Sequence, residues 1–537
     1  MLKDIILLSG PVACGKSSLA AQLERQYGVF RIKTRDVIAR YQPGVKNERK
    51  ALQRAGDRLD RITDGEWIAM ELHRELPRLE PSTIVLVDSV RILKQIEAIR
   101  RAFGARVIHI HLTAPEHVLH ERYAKRRAGR TSGMDELLSY EEVRQNVTER
   151  NVGRLAADAD VVIDTQRCRE EDVLVRAASH LGFYGRSYER LVDVLIGGAY
   201  GSEGKGQIVS YLAREYDYLV RVGGPNAGHR VWMDPEPYPF HVLPSGALHS
   251  EAKLIIGPGA VIGVDQLQKE INDCDVDADR LSIDPQAMII EPADIEWEKK
   301  HLEAAIGSTA QGVGHATARR ILNRHTSVTL AKDVLELQRY IRPTREVLDR
   351  AFFNGKRVLL EGTQGTGLSL YHGTYPYVTS RDSSVGGCLA EAGIAPSRVR
   401  KIILVTRTYP IRVADPPGGT SGPMGLDITW EEVAERSKLS VQEILGTEIT
   451  TTTKRGRRVA EFNWELLRIA ASLNAPTDVA LTFADYIDKR NQSARRFEQL
   501  TTETIRMVEE IERVAAAPVS LIATGFGPRV IIDRRAW

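Results

Sequence analysis

The chain has 537 residues, too many for one ordinary core, so two or more domains are expected. Apolar residues make up 42% and charged residues 27%, the mix of a water-soluble globular protein, and no run approaches the ~18 apolar residues of a membrane span. A net charge of +3 lacks the dense basic patch of a nucleic-acid binder, so neither nucleic acid nor membrane is expected as a partner. The four cysteines, Cys14, Cys168, Cys274 and Cys388, form no CxxC pair, which argues against zinc or a disulfide framework and for a reducing, cytoplasmic setting.

In chain order, the strand-like IILLS is followed by GPVACGKS (10–17) and the helical SSLAAQLERQY. The motif satisfies GxxxxGK[ST] in the strand–loop–helix context that gives it meaning. Gly10 and Gly15 let backbone amides wrap a phosphate, Lys16 reaches the β- and γ-phosphates, and Ser17 is the candidate Mg²⁺ ligand. Asp88 closes the strand TIVLVD, where a carboxylate can face that metal. Arg35, Arg91 and the group Arg122, Arg126, Arg127 and Arg130 suit an enzyme that clamps donor and acceptor phosphates, although each taken singly also suits a solvated helix face. Strands RVIHIHL and DVVIDT alternate with helical segments, which predicts a parallel, three-layer α/β P-loop domain over 1–185. LQRAGDRL (52–59) and VDSVR (87–91) resemble nucleoside and deoxynucleoside monophosphate kinases, which implies kinase activity with ATP and Mg²⁺.

After a short linker, residues 191–537 form a second predicted domain. LVDVLIGG leads into AYGSEGKG and the helical QIVSYLAR, another phosphate-binding start, although here Lys205 is followed by Gly206. Strand-like runs follow: LIIGPGAVI, RVLLEG, KIILVTRTYPIRV and DVALTFA. Between them stand VRVGGPNAGH (220–229), GSTAQGVG (307–314), LEGTQGTGLSLYHGTYPYVTS (360–380), TTTKRGRR (451–458), LTFADYID (481–488) and ATGFGPR (523–529).

This ordered series resembles the adenylosuccinate synthetase family over nearly all of 191–537. The resemblance implies a large, mostly parallel central sheet, a homodimer, and a two-step ligation. A nucleoside triphosphate, GTP or ATP, phosphorylates the 6-oxygen of a purine nucleoside monophosphate, and the amino group of L-aspartate displaces the phosphate. It implies an acid role for His229, a phosphate-loop role for Lys205, and stabilisation of the 6-oxyanion by Gln364. It places Asn226, Thr309 and Thr379 at the monophosphate, Arg319 at the monophosphate of a neighbouring subunit, and Mg²⁺ on the Gly228 carbonyl. Thr452, Thr453 and Arg455 fall on the loop that grips aspartate. Gly201, Gly204, Gly206, Arg457, Asp485 and Gly525 fall on the triphosphate site.

Two departures stand out. The family's GDEGKG reads GSEGKG here, so Ser202 replaces the aspartate that serves as general base and metal ligand. Serine there is a feature of a phage branch that takes dGMP, which points to a guanine-type substrate in place of IMP. The guanine-reading TKxD reads TFAD, so Asp485 remains and the lysine is gone, pointing to relaxed donor choice or ATP. The alternative reading is a regulatory paralogue that senses nucleotides with little turnover.

Overall fold

The computed structural model describes residues 4–46, 48–81, 83–128, 138–184, 189–234, 236–326, 328–448, 456–527 and 529–537. The chain divides into two compact units, Met1–Tyr184 and Gly185–Trp537.

The first unit is built on a five-stranded, wholly parallel sheet. Its spatial order is Phe30–Ile32, Val85–Val87, Ile5–Ser9, Val107–Thr113 and Val161–Asp164. Ile5–Ser9 and Val85–Val87 are buried along their whole length, as parallel strands covered on both faces must be. The central strand Ile5–Ser9 delivers the loop at residues 10–15 to the start of helix Lys16–Tyr27. A Cβ at Gly10 would lie 2.2 Å from the Leu112 carbonyl oxygen, so the loop can leave the sheet only through glycine. Beneath it, Ser9 Oγ is hydrogen-bonded to His109 Nε2 (2.6 Å) and His111 Nδ1 (2.7 Å), a buried polar cluster.

The second unit carries a nine-stranded sheet in the order Leu281–Ile283, Lys253–Ile256, Tyr218–Arg221, Val358–Gly365, Val192–Gly197, Val399–Arg407, Asp478–Thr482, Val519–Ala523 and Ile531–Asp533. Every pairing is parallel except the last. Val194, Ile196 and Leu360 pack into one apolar layer and Leu195, Leu359 and Val405 into the other, the alternation of a sheet buried on both faces. The run LIIGPGAVI is not one strand: Lys253–Ile256 joins the large sheet and Val261–Ile262 pairs with Met288–Ile289. KIILVTRTYPIRV divides likewise, with Val399–Arg407 in the large sheet and Ile411–Val413 in a three-stranded antiparallel one. Val192–Gly197 is flanked by strands that come much later in the chain, so the loop after it opens at a switch in topology, where α/β sheets bind ligands.

Candidate active sites

In the first unit, a cleft of about 1170 Å³ is lined by Lys16, Ser17, Asp88, Arg122 and Arg126, among others. That volume exceeds the upper range of a single small-molecule pocket, ~1000 Å³. Lys16 Nζ donates to the carbonyls of Gly10 (2.6 Å) and Pro11 (2.8 Å), folding over the loop it serves. Asp88 accepts from Arg31 Nη2 at 2.9 Å and from the Thr34 amide at 3.4 Å. Arg91 pairs with the buried Glu149, and Arg122 donates to the Thr165 hydroxyl and carbonyl. Arg130 lies outside the described residues.

The second unit holds a cavity of about 230 Å³ among its described residues. Three segments at the carboxyl ends of sheet strands meet there with residues from three more distant ones. Gly201, Ser202 and Lys205 come from the loop after Val192–Gly197, and Asn226, Gly228 and His229 from the loop after Tyr218–Arg221. Gln364 ends Val358–Gly365, and Thr309, Thr379 and Arg457 come from more distant segments. Ser202 (φ 56°) and Gln364 (φ 59°) both hold the left-handed backbone conformation that side-chain-bearing residues avoid, and such strain gathers at working sites. Asn226 Oδ1, Gln364 Nε2 and Thr379 Oγ1 are buried without a hydrogen-bond partner among the described residues. A buried polar atom of that kind costs about 1–3 kcal/mol unless a ligand satisfies it.

Two residues not foreseen as functional organise this cavity. Glu203 is fully buried. Its Oε1 accepts from the amides of Ala199 (3.0 Å) and Gly201 (2.8 Å), and its Oε2 from Lys205 Nζ (2.6 Å). The phosphate loop is therefore wrapped around its own carboxylate, which aims the lysine. Glu361 is the second. It contacts His229 Nδ1, Arg221 Nη1 (3.5 Å) and the amide (2.8 Å) and hydroxyl of Ser245. Burial pushes the Glu361 carboxyl up, but Arg221, His229 and Ser245 outweigh it and bring it to about 2. Burial and then Arg221 hold His229 down at about 4 against the pull of Glu361. The pair is thus an ionised carboxylate and a neutral imidazole whose proton sits on Nδ1, leaving the Nε2 lone pair for a ligand. Glu203 lies within AYGSEGKG and Glu361 within LEGTQGT, but a buried supporting carboxylate has no signature of its own.

The triphosphate-site candidates extend past this cavity. Gly201 and Gly204 (φ 84° and 82°) shape the loop, and Gly206 opens helix Lys205–Leu212. Gly525 accepts from Gln207 Nε2 at 3.0 Å and abuts Asp485, where an added Cβ would lie 3.7 Å from Oδ2. Burial raises Asp485 to about 6, and its Oδ1 is buried without a partner among the described residues. Phe483, in the lysine's place, lies under the Arg407 guanidinium, 4.0 Å from the ring centroid. Arg407 donates to the Ser202 carbonyl (3.1 Å) and to Glu448 (2.7 Å), which also receives Arg457 (3.0 Å). Arg319 does not line the cavity; its guanidinium is held by Asp294 (2.8 Å) and Glu291 (2.8 Å) of its own chain. Thr452, Thr453 and Arg455 lie outside the described residues.

Among the described residues no three His, Cys, Asp or Glu side chains converge on a metal site. Mg²⁺ fits a different donor set, neutral oxygens completed by nucleotide phosphates. Ser17 lines the first cleft, and Gly228 and Ser202 line the second.

Comparison with known proteins agrees with this geometry. Residues 194–336 and 325–492 match the adenylosuccinate synthetase family model, and residues 6–136 match an AAA domain model. The chain is similar to the adenylosuccinate synthetase of Archaeoglobus fulgidus, 38% identical over 347 residues, or 64% of this chain and 98% of the relative. It is 37% identical to that of Methanocaldococcus jannaschii over 351 residues, or 64% of this chain and 96% of the relative. Among solved structures, the Plasmodium falciparum adenylosuccinate synthetase shares the fold at TM-score 0.54 and 22% identity, covering 64% of this chain and all of its own. The cyanophage S-2L succinoaminodeoxyadenylate synthetase, solved with dGMP and with dATP as energy donor, superposes at TM-score 0.54 with 26% identity, covering 65% of this chain and 96% of its own. With the phosphate loop, the Glu361-held histidine and these relatives taken together, the chain belongs to the adenylosuccinate synthetase family, its ligase unit preceded by a P-loop kinase-like unit.

Proposed function

We propose that the ligase unit joins L-aspartate to the 6-position of a guanine-type nucleoside monophosphate with ATP as phosphoryl donor, and that the first unit is a nucleoside monophosphate kinase. The observation that carries the substrate assignment is Ser202. It lines the cavity where the family holds an aspartate, and Glu298, the one carboxylate lining that cavity among the described residues, is turned to the amides of Gly312 (2.8 Å), Gly314 (2.6 Å) and His315 (3.2 Å). A serine hydroxyl is no base at neutral pH. It is small, however, and leaves room for a 2-amino group that an aspartate would crowd. The phage relative solved with dGMP and dATP supports the same reading.

The ligase roles follow from the side chains. Gln364 Nε2 supplies an N–H to the 6-oxygen as negative charge grows on it. Lys205, aimed by Glu203, meets the transferring phosphoryl group. His229 presents Nε2 as an acceptor, and a polyanion beside it would raise its proton affinity, so its acid role begins once phosphates are bound. Mg²⁺ would be held by the Gly228 carbonyl and the phosphates in this unit, and by Ser17 in the first. There it supplies charge neutralisation on the phosphoryl oxygens. Asp485 accepts from the exocyclic amino group of the donor base, a group adenine offers as well as guanine.

The test incubates the protein with Mg²⁺, aspartate, ATP or GTP, and IMP, GMP or dGMP, and reads the products by mass spectrometry. A succinyl adduct of the guanine nucleotide with ATP is expected. Turnover of IMP alone, or of GTP alone, would overturn the substrate or the donor assignment respectively. Ser202→Asp should shift the enzyme toward IMP and cut guanine turnover by about 10-fold or more, since crowding one small group changes discrimination by that order.

A further inference from the structure

The cleft of the first unit has an end that the P-loop does not use. It is lined by Ile38, Leu52, Gly56, Asp57, Asp60 and Trp67. Asp60 is anchored there through one oxygen only. Trp67 Nε1 (2.6 Å) and Gln95 Nε2 (2.9 Å) both donate to Oδ1. The Gln95 amide is fixed in that orientation because its Oε1 accepts from the Arg91 amide at 2.8 Å. Oδ1 is therefore saturated, and Oδ2 has no protein donor among the described residues. Gln95 is buried, and the bonds at its oxygen and its nitrogen fix its orientation toward Asp60. Asp57, one turn earlier on the same helix, accepts from the Thr148 hydroxyl at 3.2 Å and adds a second acceptor to this end. Burial, and to a lesser degree Asp57, hold the Asp60 carboxyl above its ordinary range in spite of the two donors. Ile38 and Leu52 give this end apolar surface, and an added Cβ at Gly56 would lie 3.3 Å from Ile38 Cδ1.

We infer that Asp60 is the base-reading residue of this unit, and that its acceptor is a nucleoside monophosphate whose base carries an exocyclic amino group. The inference rests on the kinase reading of the first unit and sharpens it. In that reaction an oxygen of the acceptor monophosphate attacks the γ-phosphorus of ATP, the bond from that phosphorus to the β-bridging oxygen breaks, and ADP leaves with the electron pair. An amino N–H completes the open carboxylate oxygen. A keto oxygen in the same place sets lone pair against lone pair and leaves a half-buried acceptor unpaired, the situation in which polar sites discriminate most strongly. Gln95, tied to both Arg91 and Asp60, is a positioning residue.

The experiment measures diphosphate formation from ATP and three matched pairs of monophosphates that differ at one amino group: AMP and IMP, CMP and UMP, GMP and XMP. The full-length protein is used, with Lys16→Ala as the blank. At least one amino member should react with kcat/KM about 100-fold or more above its keto partner. Asp60→Asn keeps the oxygen that Trp67 and Gln95 hold and turns Oδ2 into an N–H donor, so the preference within that pair should fall or invert. Binding of a fluorescent ATP analogue by the variant shows that the P-loop remains folded. Equal rates within every pair, or an unchanged preference in Asp60→Asn with ATP binding intact, would overturn the inference while leaving the kinase reading in place. No diphosphate above the Lys16→Ala blank from any of the six would remove the kinase reading and the inference with it.

Discussion

Glu361 sets the proton on His229 without lining the cavity itself. It accepts from Nδ1 and is locked by Arg221 and Ser245. Glu361→Gln offers the same shape but can donate where an acceptor is needed, which frees the ring to adopt the wrong tautomer. Expected is a fall in ligase kcat of about 100-fold or more with little change in nucleotide KM, read from initial rates. Asp485 gives a prediction in pH. Its carboxyl stands at about 6 through burial, above the ordinary value of an unfolded aspartate. The unfolded chain therefore releases this proton first, and stability falls as pH rises from about 4 to 6 and then levels. Asp485→Asn removes that penalty, so it should stabilise the protein by on the order of 2 kcal/mol at pH 8 and hardly at all at pH 4. Denaturant melts at the two pH values check the sign. The motif residues His229, Lys205 and Gln364 were legible because glycine loops and an unusual string surround them. Glu203 and Glu361 stand in the same strings, but their work is done by burial and partners that no spacing reveals.

At the level of elements, the phosphate loop and the histidine strand are locked together. An added Cβ at Gly206 would sit 3.0 Å from His229 Cβ and 3.1 Å from the Arg230 carbonyl oxygen. Gly206→Ala should therefore push strand His229–Val231 off helix Lys205–Leu212. A misplacement of about 1 Å at a reacting group costs about 100-fold in rate, and the smaller shift that relieves this contact should cost about 10-fold. Ligase rate should suffer more than melting temperature, and the first unit's activity should not change. The elements themselves followed from the sequence wherever an apolar run was bounded by turn residues, as in IILLS or DVALT. Long runs misled where glycine or proline lies inside them. LIIGPGAVI and KIILVTRTYPIRV each span two strands, because such residues interrupt a ladder and let the chain change sheets. Arg407 with Glu448 was out of reach altogether, since the two are 41 residues apart and meet only through the fold.

Across the whole molecule, each unit owns its apolar interior. Ile5, Leu7, Trp67, Val85 and Ile96 belong to one cluster of the first unit, and the two faces of the nine-stranded sheet supply those of the second. Separate cores predict separable activities. Lys16→Ala should abolish kinase turnover and spare the ligase, and His229→Asn should do the reverse, both read on one preparation by product mass spectrometry. A single variant that removes both products would contradict this division.

The buried cluster of Arg221, Glu361, His229 and Ser245 also bears on durability. Dehydrating several charged and polar groups in one spot is expensive, and oily side chains of matched volume commonly hold a fold together better. A chain carrying Met or Leu throughout that cluster should outlast its parent in heat while catalysing nothing. Robustness and turnover thus compete for the same few cubic ångströms, and selection for one in the laboratory would be expected to erode the other.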